Sequence, residues 1–161
     1  MLITDYTTYA DVRAALGVSD DELSDETLGL EIYASALLLD LEDVNVALPA
    51  AYAALPGSGR TEAQERFFVT SRLFATYAVA RQLTSALPMF GPKDITDGKA
   101  GVTRFSDSPY KETIKKVQAE YDRYRTRLEK SYAGLSSGTF TLTIPTFLSV
   151  ASPDTDPITN A

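Results

Sequence analysis

The sequence predicts an all-α fold: an antiparallel helical bundle of about four helices, with an irregular loop or short β-hairpin and an extended C-terminal arm. Two observations carry this reading. Apolar residues recur at helical spacing over four segments, near residues 8–16, 25–46, 62–87 and 109–133. Four start signals and three stop signals fall at agreeing positions. The bundle domain is expected over residues 1–138, with its irregular loop at 88–107, and the arm over 139–161.

The first helix opens on Thr8, with Asp11 in the looser form of a capping box, and Gly17 fits the position just past its end. Tyr9, Val12 and Leu16 share one face. An acid-rich link from Ser19 to Glu26 follows, with Ser19 placed to cap a single turn and Ser24 to cap the second helix. Acids in a first turn are favoured by the helix dipole. The second helix carries Leu28, Leu30, Ile32, Tyr33, Leu37, Leu38, Leu39, Leu41 and Val44. They cover more than one stripe, so the helix is expected to be covered on several sides. In so small a domain only an outer partner supplies the extra cover. Pro49 and the stretch Leu55-Pro56-Gly57-Ser58-Gly59 read as a break.

Thr61 and Gln64 form the capping box of the third helix, which stops before Pro88. Phe67, Leu73, Phe74 and Tyr77 are expected on its inner face. Ser71, Ala75, Ala78 and Ala80 are small and allow close helix approach. In residues 88–107, Pro88, Gly91, Pro92, Gly98 and Gly101 exclude a helix. Asp97-Gly98 is a turn signal, with Ile95 and Val102 to Phe105 as hairpin arms. A segment this long without helix inside a bundle is often functional.

Pro109 suits the first position of the last helix, and Gly134 reads as its end. Tyr110, Ile114, Val117, Tyr121, Tyr124, Leu128 and Tyr132 make an apolar seam, with Lys111, Lys115, Lys116, Arg123, Arg125, Arg127 and Lys130 between them. After Gly138, Phe140, Leu142 and Ile144 alternate with threonines, the period of a strand with one buried face. Phe147, Leu148 and Val150 add apolar surface. The arm is expected to bind a partner.

Composition narrows the function. The 161 residues contain no cysteine and no histidine. That removes thiolate and histidine metal sites, every Ser-His or Cys-His nucleophile, and the side chain best suited to proton transfer near neutral pH. The expectation is therefore no enzyme, with no catalytic residue, cofactor or metal. No apolar run approaches the roughly 20 residues that span a bilayer, so no membrane partner is expected. Charge is uneven. Residues 1–60 hold eleven acids against Arg13 and Arg60, a net of −9, and residues 61–161 hold thirteen bases against eleven acids, a net of +2. Acidic and basic faces of this kind can meet between neighbouring subunits.

Other constellations have plainer readings. The acids at 20–26 lack the EF-hand spacing and suit helix starts. Gly57-Ser58-Gly59-Arg60-Thr61 lacks the phosphate-loop pattern and no strand precedes it. Asp94 and Asp97 flank a turn. The bases of the last helix alternate with Glu112, Glu120, Asp122 and Glu129, which suits a solvated or intersubunit face better than a phosphate track. The tyrosine seam has the spacing of core.

The order of parts resembles the head-tail connector, or adaptor, proteins of long-tailed bacteriophages. The most similar portion is Tyr9-Ala10-Asp11-Val12-Arg13-Ala14-Ala15-Leu16-Gly17-Val18, followed by Asp20-Asp21-Glu22-Leu23. The loop from Asp94 to Phe105 before the last helix is similar in kind, and the resemblance covers about residues 5–134. It implies a virion protein of the neck region, present in the host cytoplasm during assembly. Such proteins form a twelvefold homo-oligomeric ring beneath the portal protein and give the tail or stopper protein its docking surface. They have no active site, and DNA passes through the channel without sequence-specific binding. An acid-lined channel would repel phosphate. The expected interface residues are Ile95, Val102 and Phe105 in the loop, and Phe140, Leu142, Ile144, Phe147, Leu148 and Val150 in the arm. Two other classes stay open: a small helical regulatory or nucleic-acid-binding module, and a carboxylate or metal enzyme.

Overall fold

The computed structural model describes residues 2–85, 94–97, 100–103 and 110–137. Over these residues the chain is an all-α helical bundle with one short hairpin. A 3-10 turn at Ile3–Asp5 precedes α1 (Tyr9–Leu16), α2 (Asp25–Leu28), α3 (Glu31–Val44), α4 (Leu48–Ala53) and α5 (Glu62–Leu83). The strands β1 (Asp94–Asp97) and β2 (Ala100–Thr103) come next, and α6 (Lys111–Ser137) closes the described chain.

The start signals work as the residues dictate. The Thr8 hydroxyl accepts the Asp11 N–H at 3.1 Å, and Gly17 ends α1 in the left-handed region at φ 72°. Thr61 and Gln64 satisfy each other's backbone N–H groups at the start of α5. Ser24 accepts the Thr27 N–H at 3.3 Å.

Four expectations need correction. The helix expected over 25–46 is two helices. Gly29 donates to the Asp25 carbonyl at 2.8 Å and closes α2, and extended Leu30 opens α3. A Cβ on Gly29 would lie 3.2 Å from both the Asp25 carbonyl and the Tyr9 hydroxyl, so the break lets α1 approach closely. Pro49, read as part of a break, sits in the first turn of α4, where its missing N–H has no intrahelical role. The expected end of the third helix at 87 becomes Leu83. Gly134 does not end the last helix, which runs on to Ser137. Glycine there forgoes about 1 kcal/mol relative to alanine, and α6 carries it within 27 residues of otherwise favourable sequence.

The core is built around α5, whose Phe67, Phe74, Ala75, Ala78, Val79, Ala80 and Leu83 are all buried. The small residues let α1, α3 and α6 approach it, as expected. The α5–α6 pair is antiparallel. Phe67 meets Tyr132 at 5.9 Å between ring centroids, and Arg81 lies over the Tyr121 ring at 3.9 Å. The seam of α6 is core: Val117, Tyr121 and Leu128 are buried, and Tyr110, Ile114, Tyr124 and Tyr132 pack against them. The hairpin pairs Ile95 with Val102 and closes at Asp97 with Ala100.

Candidate interaction face and groove

The outer face of α3 is apolar and, among the described residues, uncovered. Its inner face buries Ala34, Leu37 and Leu41. At about 100° per residue, Ile32 and Leu39 point the opposite way, and they are 68% and 62% exposed. Leu30 before the helix and Val46 after it are exposed as well. Ala36 lies between the two anchors on the same side. Glu31 and Glu42 line one edge of this strip, and Asp43, four positions after Leu39, ends it on its own line toward the helix C-terminus. Among the described residues none of these three acids has an ion-pair partner.

A groove of about 550 Å³ lies on another side of the bundle. Its floor is the exposed ridge of α5, with Val69 and Leu73 at 45% and 36% exposure. Ala14 and Ala15 of α1 form one wall, and Tyr77 and Lys116 the other end and side. Leu73 was expected inside; it faces out because it lies about 100° around the helix from Phe74, beyond the reach of α6. The two acids lining the groove are already paired: Asp11 of α1 with Arg72 at 3.5 Å, and Glu65 of α5 with Arg60 at 3.2 Å. From α6 only Lys116 lines this groove; it has no ion pair among the described residues, and neither do Arg127 and Lys130 further along the helix. Arg66, Arg127 and Lys130 line a separate depression of about 350 Å³ with Thr70 and Ser131.

Elsewhere the polar groups serve the fold. Asp40 of α3 accepts from Arg81 at 3.0 Å, Gln82 at 3.4 Å and the Tyr121 hydroxyl at 3.3 Å, joining α3, α5 and α6. Burial, helped by the Asp40 charge, raises the Tyr121 pKa. Tyr6 stacks on Tyr52 at 4.3 Å and Tyr52 on Phe68 at 5.6 Å, with the Arg60 guanidinium over Phe68 at 3.7 Å. Burial, then Tyr52 and Asp5, pushes the Tyr6 pKa up to about 12. Tyrosines held neutral this way act as packing groups.

Ile95 and Val102 stand opposite each other in the hairpin register. Phe105, Phe140, Leu142, Ile144, Phe147, Leu148 and Val150, with the whole arm, lie outside the described residues. Among the described residues no three acidic side chains converge to hold a metal ion, and no helix is long and apolar enough to cross a membrane. The α3 strip was legible as surplus apolar surface. The α5 groove was missed, although Val69 and Leu73, four positions apart, carried its signal. Comparison with protein-family models, curated proteins and solved structures finds no match.

Proposed function

We propose that this chain is a structural subunit of a phage head-tail connector, assembling as a ring that binds the portal and offers the tail or stopper its docking surface. The observation that carries this reading is the outer face of α3, where Ile32 and Leu39 stand exposed on a helix whose other side is fully packed. Scattered single apolar residues need no explanation, but an aligned strip rimmed by acids marks a protein contact. Burying the two side chains would supply about 1.5–3 kcal/mol each. The uneven charge of the two chain halves and the order of helices, which resembles that of the connector proteins, support the same reading. The arm, with Phe140, Leu142 and Ile144, belongs to it as a further partner contact.

Mass photometry of the protein with a portal ring from the same phage tests the proposal. The expected result is a mass increment corresponding to a full ring of subunits on the portal. A portal that gains no mass at micromolar protein overturns it.

A further inference from the structure

We propose that the outer face of α3 seats in the α1–α5 groove of a second copy of this chain, joining copies head to tail. This rests on the reading of the chain as a self-assembling subunit and names the partner of its exposed strip. The first support is position. Gln82, which donates to Asp40 of α3, lies nine positions from Leu73 on α5, about half a circle away. Arg81, the other α5 donor to Asp40, lies eight positions from Leu73, about 80° around the helix, so the projecting helix and the groove occupy different sides of α5. A knob on one side and a hole on the other make a heterologous contact, which repeats in one direction until a ring closes.

The second support is chemistry. Ile32, Ala36 and Leu39 follow the i, i+4, i+7 pattern by which an amphipathic helix enters an apolar groove, and Val69 and Leu73 supply that apolar floor. The strip has acids on its edge, while Lys116 lines the groove and Arg127 stands on the same side of α6, eleven positions on. Both sets lack ion-pair partners among the described residues, whereas Asp11 on the α1 wall and Glu65 on α5 are already paired with Arg72 and Arg60.

The third support is spacing. Glu31 and Glu42 are eleven positions apart on one edge of α3, and Lys116 and Arg127 are eleven apart on one side of α6. Each pair spans about 16 Å at about 1.5 Å per residue. The two acids therefore meet the two bases together when the helices lie alongside. Rim charges placed this way fix register and exclude wrong partners.

The absence of native cysteine makes the test clean. Full-length Leu39→Cys protein is mixed with full-length Leu73→Cys protein under mild oxidation, and the mixed disulfide is timed. The control replaces Leu73→Cys with Ala119→Cys, exposed on the outer side of α6. The expected result is a rate about tenfold or more above the control, because docking raises the effective concentration of the two thiols. Adding Glu31→Lys and Glu42→Lys to the Leu39→Cys chain returns the rate to the control. Adding Lys116→Glu and Arg127→Glu to its partner restores it. Circular dichroism of every variant confirms that the helices are kept. A rate equal to the control, or failure of the reversed charges to rescue, overturns the inference. If a ring forms on the portal without this cross-link, the connector reading stands and the inference falls; if the cross-link forms and the portal binds nothing, the reverse holds.

Discussion

Replacing Asp40 by alanine removes an acceptor that ties three helices together. The carboxylate is only 12% exposed and serves Arg81, Gln82 and the Tyr121 hydroxyl at once. The hydrogen bonds that the neutral Gln82 and Tyr121 donors make to this carboxylate are long, at 3.3–3.4 Å, and contribute about 0.5–1.5 kcal/mol each. Breaking a fully buried ion pair costs about 3–5 kcal/mol, but Arg81 is 35% exposed, so water recovers part of its share. The net expectation is a loss of about 2–4 kcal/mol for Asp40→Ala. Asp40→Asn keeps an acceptor for Tyr121 and forfeits the ion pair, so about 1–2 kcal/mol is expected. Urea unfolding followed by circular dichroism measures both, and an unchanged slope shows that the folded and unfolded ensembles are otherwise alike. A second check is coupling: Arg81→Met should cost at least about 1 kcal/mol less in the Asp40→Ala background than in the natural chain. An Asp40→Ala loss below about 1 kcal/mol, or an asparagine variant as unstable as the alanine one, refutes the reasoning.

Three further outcomes follow from the same structure. Thr61→Ala removes the hydroxyl that accepts the Gln64 N–H and should cost about 1 kcal/mol of stability by urea unfolding. Tyr6 titrates near 12 when folded and at the ordinary 10.0 when unfolded. Both states are protonated below pH 10, so its contribution is fully present there. Above pH 10 the unfolded chain ionises first, and stability falls up to pH 12 by on the order of 2–3 kcal/mol; Tyr6→Phe should flatten that fall in unfolding curves taken across the range. Ile32→Asp with Leu39→Asp should leave monomer stability within about 0.5 kcal/mol, since both side chains already face water, and thermal unfolding reads this directly.

Much of the fold was written in local signals. Thr8, Ser24 and Thr61 each cap the helix they were expected to cap, because a side-chain acceptor for the first free N–H groups is a strictly local requirement. The tyrosine seam of α6 was legible for a similar reason: its spacing matches the helical repeat. What sequence did not reveal depends on neighbours. The chain turns extended at Leu30, just after Gly29, whose missing Cβ leaves room for the hydroxyl of Tyr9, twenty positions earlier, while α6 continues through Gly134 to Ser137. Leu73 looked like core from its neighbours Phe74 and Tyr77, and only the placement of α1 and α6 leaves it at the surface. The exposed strip of α3 was readable as too much apolar surface for one domain to cover. The groove was not, since its walls come from helices far apart in sequence.

Negative-stain imaging of portal rings mixed with this protein and with its Ile32→Asp/Leu39→Asp variant tests the central claim most directly. The account predicts class averages in which the natural chain adds a continuous ring to the portal, and the folded variant adds none. Portals that stay bare with the natural chain, or that carry an equally complete ring of the variant, would contradict it.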